Sequence, residues 1–363
     1  MPQNKTYKIA LIGYRLSAGG SDRVMARLSV FFEQNNIEIH NVIVIDEVAY
    51  PYAGKLVNLG LLKNETNGYF NKFRRLLALR SYLNQHNFDY IIDFRFRIKP
   101  LQELIIARFV YKSKTVFTVH SYLIDHYMPN WSWLTRLMYN QSYAVVAITN
   151  QMNELITKKH QLNNLVTIYN PISFDEIDSQ KDVPIALDYQ YIIGVGQYEN
   201  PIKQFAQFIE TYAKSNLPSQ NIHLVILGVG DKASLLKPIA ENDLEHKVHL
   251  LGYQENPFQY ISKAKFLVLC SQNEGMPNVI LESLACETPV IAFDCPSGPR
   301  EVITHDNGIL VENQNWEALK HAMENMITNK NLYLHSKSNA RKSINTFEIN
   351  TIGQQWLDLL EIK

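Results

Sequence analysis

The chain has 363 residues, 46% of them apolar, with 35 basic and 35 acidic side chains. That length suits two domains of about 180 residues each, and the zero net charge gives no bulk attraction to nucleic acid, which is not expected as a partner. No run approaches the ~18 apolar residues of a membrane span, and the opening Met-Pro-Gln-Asn-Lys-Thr-Tyr-Lys leads into a strand, not into the apolar core of a secretion signal, so a cytoplasmic location is expected.

Lys8 to Ile12 reads as a buried first strand, followed by the loop Ser-Ala-Gly-Gly-Ser-Asp (17 to 22) and a helix from Arg23 to Gln34. The pair Gly19 and Gly20 permits close backbone approach to a phosphate. Strands at Val42 to Ile45, Tyr90 to Asp93, Thr115 to Val119, Ala144 to Ile148 and Val166 to Tyr169 alternate with helical patterns, which argues for a parallel sheet covered on both faces. Lys72 to Lys114 holds ten Lys or Arg against three Asp or Glu, and Phe70, Phe73, Leu76 and Leu77 interleave with Lys72, Arg74, Arg75 and Arg80. Such a stretch can lie on an anionic membrane surface; an ordinary solvated face with its apolar residues in the core is the alternative. His120 directly follows a strand, where open α/β sheets place their ligand crevice. Ser173 to Asp188 is polar and aperiodic and reads as an interdomain linker.

A second alternating series runs through strand Tyr191 to Val195, helix Ile202 to Lys214, strand His223 to Leu227, helix Ala233 to Glu241, strand Val248 to Leu251 and helix Pro257 to Lys263. A buried strand, Phe266 to Cys270, then enters a polar loop that closes with Gly275 and Pro277, and a helix follows to about Cys286. Pro277 suits the first helical turn because its missing N–H would have no helical partner there. The amides of Met276 to Val279, Asn278 among them, then sit at a helix N-terminus, an anion site. Glu274 lies in the loop and Glu282 one turn after Asn278 on the same face. Carboxylates beside an anion site repel phosphate but accept hydrogen bonds from neighbouring hydroxyls, and a nucleotide sugar supplies both groups. Cys270, Cys286 and Cys295 lack metal-ligand spacing and read as buried thiols. The chain closes with helix Trp316 to Thr328 and an amphipathic segment, Phe347 to Leu360, whose apolar contacts are Trp356, Leu357 and Leu360.

Glu274-x7-Glu282, followed by Thr-Pro-Val-Ile-Ala (288 to 292) and Pro-Ser-Gly-Pro-Arg-Glu (296 to 301), resembles the retaining glycosyltransferase family 4 of the GT-B fold. The resemblance implies an α/β architecture of two Rossmann-like doubly wound domains facing a cleft: residues 1–172 for the acceptor, a linker at 173–188, residues 189–343 for the donor, and 344–363 as a helix crossing back to the first domain. It implies that Glu274 contacts the transferred sugar and Glu282 the ribose. Lys203 would meet the diphosphate, although Gln197 stands where relatives usually have a second cation, an arginine, leaving Arg300 or the Arg23 region to compensate or the donor to bind more weakly. Gly19, Gly20, Arg23 and Val24 match Gly-Gly-x-x-Arg-Val, used beside the diphosphate, and the family commonly has a histidine facing acceptor and sugar at the place of His120. The segment Gly252-Tyr253 to Asn256 lies where relatives seat the base. The expected catalytic set is Glu274, His120 and Lys203; the donor set is Gly19, Gly20, Gln197, Lys203, Glu274, Gly275, Met276, Pro277, Asn278 and Glu282. The implied reaction moves a hexose or N-acetylhexosamine, with UDP favoured in the donor, to a glycan or lipid-linked glycan of bacterial surface assembly (lipopolysaccharide or capsule), with α linkage. The chain contains no Asp-x-Asp, so neither a metal nor another cofactor is expected. The basic stretch 72–114 would then hold the enzyme peripherally on the inner face of the plasma membrane. There are two rivals: a non-hydrolysing nucleotide-sugar epimerase on the same architecture, and a non-enzymatic two-domain sugar-binding protein of the bacterial periplasmic type.

Overall fold

A computed structural model describes residues 6–17, 19–63 and 68–363; the opening residues 1–5, and Ala18 of the glycine loop, lie outside them. Two units emerge, Met1–Pro171 with Ile349–Lys363, and Ile172–Glu348.

In the first unit the strands are β1 (Lys8–Gly13), β2 (Glu38–Ile43), β3 (Lys55–Asn58), β4 (Tyr90–Asp93), β5 (Lys114–Val119), β6 (Ala144–Ala147) and β7 (Leu165–Thr167), all parallel, in the order β3-β2-β1-β4-β5-β6-β7. Ile9–Ile12, Tyr90–Ile92, Val116, Phe117 and Ala144–Ala147 are buried, as in a sheet covered on both faces. Two expectations fail at the edge. β2 begins at Glu38 and stops at Ile43, because pairing of Lys8 with Glu38 and Gly13 with Ile43 recruits a segment whose polar residues hid it. β3 was not anticipated, since its four residues are no more than half-buried and form no apolar run.

The second unit contains β8 (Gln190–Val195), β9 (Ile222–Leu227), β10 (Val248–Gly252), β11 (Leu267–Leu269), β12 (Val290–Phe293) and β13 (Gly308–Val311), parallel, in the order β10-β9-β8-β11-β12-β13. Each sheet reverses its winding once, between β1 and β4 and between β8 and β11, so each has its own switch point where a crevice forms at the strands' carboxyl ends.

Residues 173–188, read from composition as a linker, lie within the second unit. Their helix Phe174–Asp178 is capped by Ser173, whose hydroxyl accepts from Glu176 N–H, and Arg341 clamps Asp178 with a 2.7 Å hydrogen bond. The chain rejoins the first unit at Ile349, not at 344. Helix Ile349–Leu359 lies against helix Gly20–Gln34 at Gly353, where a Cβ would come within 2.3 Å of the Phe31 ring. Trp356, Leu357 and Leu360 are buried in the same core as Phe31 and Phe32. Among the described residues no helix is long and apolar enough to cross a membrane.

The basic stretch 72–114 does not turn all its charge outward. Arg95 and Arg97 are 5% and 1% exposed. Arg95 pairs with Asp93 at 2.8 Å and Glu103 at 3.0 Å, while Arg97 donates to the carbonyls of Asp93, Arg95, Thr118 and Tyr127 and to the Tyr139 hydroxyl. Leu76 is half-buried, whereas Phe70, Phe73 and Leu77 are exposed.

Candidate active site

At the switch point of the second unit, Lys203 and Glu274 meet. Lys203 Nζ lies 2.7 Å from Glu274 Oε1, and both side chains stay partly open, 21% and 13% exposed, so a ligand can reach them. The expected single helix Ile202 to Lys214 is broken here. A 3-10 turn, Pro201–Lys203, ends at Gln204, which takes a left-handed conformation (φ 54°) before helix Phe205–Ala213 begins. Gln204 is held by an Nε2 hydrogen bond to the Cys270 carbonyl at 2.7 Å, and Gln272 N–H returns one to Ile202 O at 2.9 Å. These bonds stitch the loop after β8 to the loop after β11, which sets Lys203 against Glu274. Gly196 gives the lysine stem its path: a Cβ there would sit 3.3 Å from Lys203 Cδ and Cε.

The loop carrying Glu274 is braced from the next strand's end. Glu274 N–H donates to Pro296 O at 2.8 Å, and Gly298 (φ 97°) lies so close that a Cβ would come within 2.6 Å of Pro277 Cδ and 3.0 Å of Gly275 O. Ser297, fully buried, also has a positive φ, 102°, a conformation that costs a non-glycine residue about 1–3 kcal/mol and persists only where its surroundings impose it. Helix Asn278–Ala285 starts one residue later than expected: Pro277 is its N-cap with extended ψ (96°), and its carbonyl accepts from Ile280 N–H at 2.9 Å. Gly275 and Met276 thus lie in the loop, and the amides of Asn278 and Val279 open the first turn, at the positive end of the helix. Glu282 lies on the same face as Asn278 and is 7% exposed.

Gln197 is exposed at the turn after β8, and Arg300, one cation suggested to compensate for it, forms a bidentate pair with Asp294, Nε to Oδ1 at 3.0 Å and Nη2 to Oδ2. Arg23, the other, stacks 4.7 Å over the Tyr50 ring in the first unit. The three cysteines are buried; burial pushes the thiols of Cys270 and Cys295 up to about 12, which makes them poor nucleophiles at neutral pH. The sequence pattern did not reveal Gln204, Gly196, Gly298 or Ser297 as supports. Gly298 lay inside a recognised motif, but Gln204 carries no signal, since its left-handed turn depends on the Cys270 carbonyl 66 residues away.

The other expected site residues belong to the first unit. Gly19 is the N-cap of helix Gly20–Gln34, and its N–H donates to Asp22 Oδ2 at 3.0 Å, so a carboxylate already sits at this amide. His120 Nε2 is 2.9 Å from Thr118 Oγ1, whose hydroxyl donates to Asp93 O at 3.0 Å. Thr118 must therefore accept from the imidazole, which puts the proton on Nε2 and leaves Nδ1 as a bare acceptor. Nδ1 is buried with no hydrogen-bond partner. Burial, with Arg97 adding repulsion, pushes His120 down to about 3, so it is neutral at pH 7. Among the described residues no three His, Cys, Asp or Glu side chains gather as a metal site.

Two family models match nearly the whole chain in succession, glycosyltransferase family 4 over residues 18–176 and glycosyl transferases group 1 over residues 175–343. Among curated relatives, a Campylobacter jejuni N-acetylgalactosamine-N,N'-diacetylbacillosaminyl-diphospho-undecaprenol 4-alpha-N-acetylgalactosaminyltransferase is 28% identical over 97% of this chain and 99% of its own. The Erwinia amylovora amylovoran biosynthesis glycosyltransferase AmsD is 24% identical over 98% and 99%. Among solved structures, Anabaena HepE in complex with UDP and glucose superposes with a TM-score of 0.77 at 17% identity, over 98% of this chain and 99% of its own. Staphylococcus aureus TarM, in a complex with fondaparinux, alpha-GlcNAc-glycerol and UDP, superposes with a TM-score of 0.76 at 16% identity, over 98% and 100%. With two parallel sheets, each wound about its own switch point, and matches that run through both units, the chain belongs to the GT-B glycosyltransferases of group 1 and family 4.

Proposed function

We propose that the chain transfers a hexose or N-acetylhexosamine, with retention, from a UDP-sugar to a lipid-linked glycan, without a divalent metal. The observation that carries this reading is the Lys203–Glu274 pair beside the start of helix Asn278–Ala285, with Glu282 a turn further in. A diphosphate drawn to Lys203 and the first-turn amides takes over the lysine from Glu274. The carboxylate is then available to a hydroxyl of the transferred sugar, while Glu282 is placed for the ribose. The acceptor oxygen bonds the anomeric carbon on the face from which the diphosphate leaves, and its proton passes to the departing phosphate oxygen. Lys203 and the helix dipole meet the charge that develops there. His120 acts as a hydrogen-bond acceptor for a sugar hydroxyl through Nδ1, because a ring titrating at about 3 does not take up a proton at pH 7.

Support for a lipid-linked acceptor comes from the Campylobacter relative, whose name specifies a diphospho-undecaprenol substrate and which aligns end to end with this chain. Peripheral membrane contact through the outward part of 72–114 suits such an acceptor, with Lys72, Arg74, Arg80, Lys99, Lys112 and Lys114 the exposed cations. The test is a thermal-shift screen with UDP, UDP-N-acetylhexosamines, UDP-hexoses and GDP-mannose, followed by transfer from the stabilising donor to a polyprenyl-diphosphate glycan. A ligand present at 100 times its Kd contributes about 2.7 kcal/mol, so a real donor stands out. Stabilisation by none of the nucleotides would overturn the reading; conversion of the donor without any acceptor would make the epimerase the better one.

A further inference from the structure

The carboxyl end of the first unit's sheet holds a cavity of about 720 Å³ for which the donor chemistry has no use. It opens at that unit's switch point: Tyr14 follows β1, Val44 and Ile45 follow β2, and Arg95 lies just past β4. Its floor is apolar, built from Leu59, Leu76, Leu79 and Ile106, and its rim is cationic, with Lys63, Lys72, Arg75 and Lys99. The acidic residues on its wall are already engaged, since Asp46 accepts from Asn58 at 2.6 Å and Glu103 pairs with Arg95. Arg75 is held in place by hydrogen bonds to the Val44 and Asn71 carbonyls at 3.0 and 3.3 Å. Side-chain contact with Lys99, and then the repulsion of its charge, hold the Lys72 ammonium below its ordinary pKa. Among the described residues no carboxylate pairs with Lys63 or Lys99. Like charges gathered at the mouth of an apolar cavity cost energy, and a polyanionic ligand removes that cost.

Around this rim the protein shows apolar side chains to solvent. Phe70, Phe73 and Leu77 recur along one face of helix Tyr69–His86, and Leu101 and Ile105 along helix Pro100–Ile105, all at least 48% exposed, with Ile98 at 62%. A free nucleotide or a soluble glycan has no use for such a border. An amphiphile with a doubly charged head and a hydrocarbon tail fits both parts.

We propose that this cavity is the subsite for the diphosphate of an isoprenyl-diphosphate-linked acceptor, with Lys72, Lys99 and Arg75 on the phosphates and the prenyl chain running over the exposed apolar helix faces. The proposal rests on the reading of a lipid-linked acceptor and assigns it a place in the first unit. Calorimetric titration of the full chain with geranylgeranyl diphosphate, kept below its micelle concentration and in the presence of saturating UDP, tests it. Binding is expected to persist with UDP present, to weaken at least about tenfold in Lys72→Ala/Lys99→Ala, and to survive in Lys72→Arg/Lys99→Arg, which keeps the charge and controls for folding. Geranylgeraniol should bind far more weakly, and inorganic diphosphate in between. Displacement by UDP, equal affinity for geranylgeraniol, or indifference to the double alanine variant would each overturn the proposal. So would lysine-dependent binding to phosphatidylglycerol vesicles without binding of geranylgeranyl diphosphate, which would make the patch a general membrane surface. The thermal shift with UDP is read separately, so failure of the donor reading remains distinguishable from failure of this subsite.

Discussion

The two sheets share one winding plan, yet they use charge at their switch points in opposite ways. In the second unit Lys203 and Glu274 remain open to solvent and satisfy mainly each other, so an incoming ligand can exchange for either partner. In the first, Asp93, Arg95, Arg97 and Glu103 are buried and bonded to one another, to Tyr111 and to backbone carbonyls, and each guanidinium nitrogen of Arg97 donates inside the fold. A charge whose partners are all internal holds loops together; a charge with one replaceable partner can do chemistry. Sequence position does not separate the two kinds, because both follow parallel strands.

The sharpest break of this contrast is Arg97→Met. It leaves several carbonyls without a donor and should cost about 3–5 kcal/mol of stability in urea unfolding, the scale for removing one member of a buried charged network. A loss below ~1 kcal/mol would mean that the network is not structural. Glu274→Gln should do the reverse: turnover falls about 10²–10³-fold, the range for a lost electrostatic contact in a transition state, while the unfolding midpoint hardly moves because the pair is partly exposed. Glu282→Ala is expected to raise the KM for the donor about tenfold with kcat nearly kept; equal falls of kcat in both glutamate variants would remove the distinction between sugar and ribose contacts.

A pH series sharpens the contrast further. Burial, aided by Lys159, pushes His160 down to about 4, and His120 is down to about 3, both in the first unit. Both rings are neutral in the folded chain while the unfolded chain takes up protons near 6.5, so their contribution is full above that pH and is lost as pH falls through 6.5 toward 4 and 3. Asp178, held down to about 2 by Arg341, titrates below this window. The melting temperature should therefore drop between pH 7.5 and 5, and His160→Gln should flatten that slope; an unchanged slope would count against the assignment. The smallest expected effect is none at all: chelator-treated enzyme keeps its rate, and loss of activity restored by magnesium or manganese would return a metal to the diphosphate.

The sequence alone was enough for the parallel α/β plan, because buried strands such as Ile9–Ile12 and Val290–Phe293 are apolar without alternation, and a local pattern reports burial directly. It also located the loop from Glu274 to Glu282 and the helix behind it, whose spacing needs no distant partner. It could not reveal β3, a half-buried edge, nor the break at Gln204 that turns Lys203 onto Glu274, nor that Arg95 and Arg97 of an apparently basic surface lie inside. Each of these is settled by groups elsewhere in the chain: the backbone of β2, the Cys270 carbonyl, Glu103 and Tyr111 for Arg95, and the Tyr127 and Tyr139 oxygens for Arg97. A residue's type fixes which bonds it can make, and only the tertiary structure decides whether its partner is a neighbour, a ligand or water.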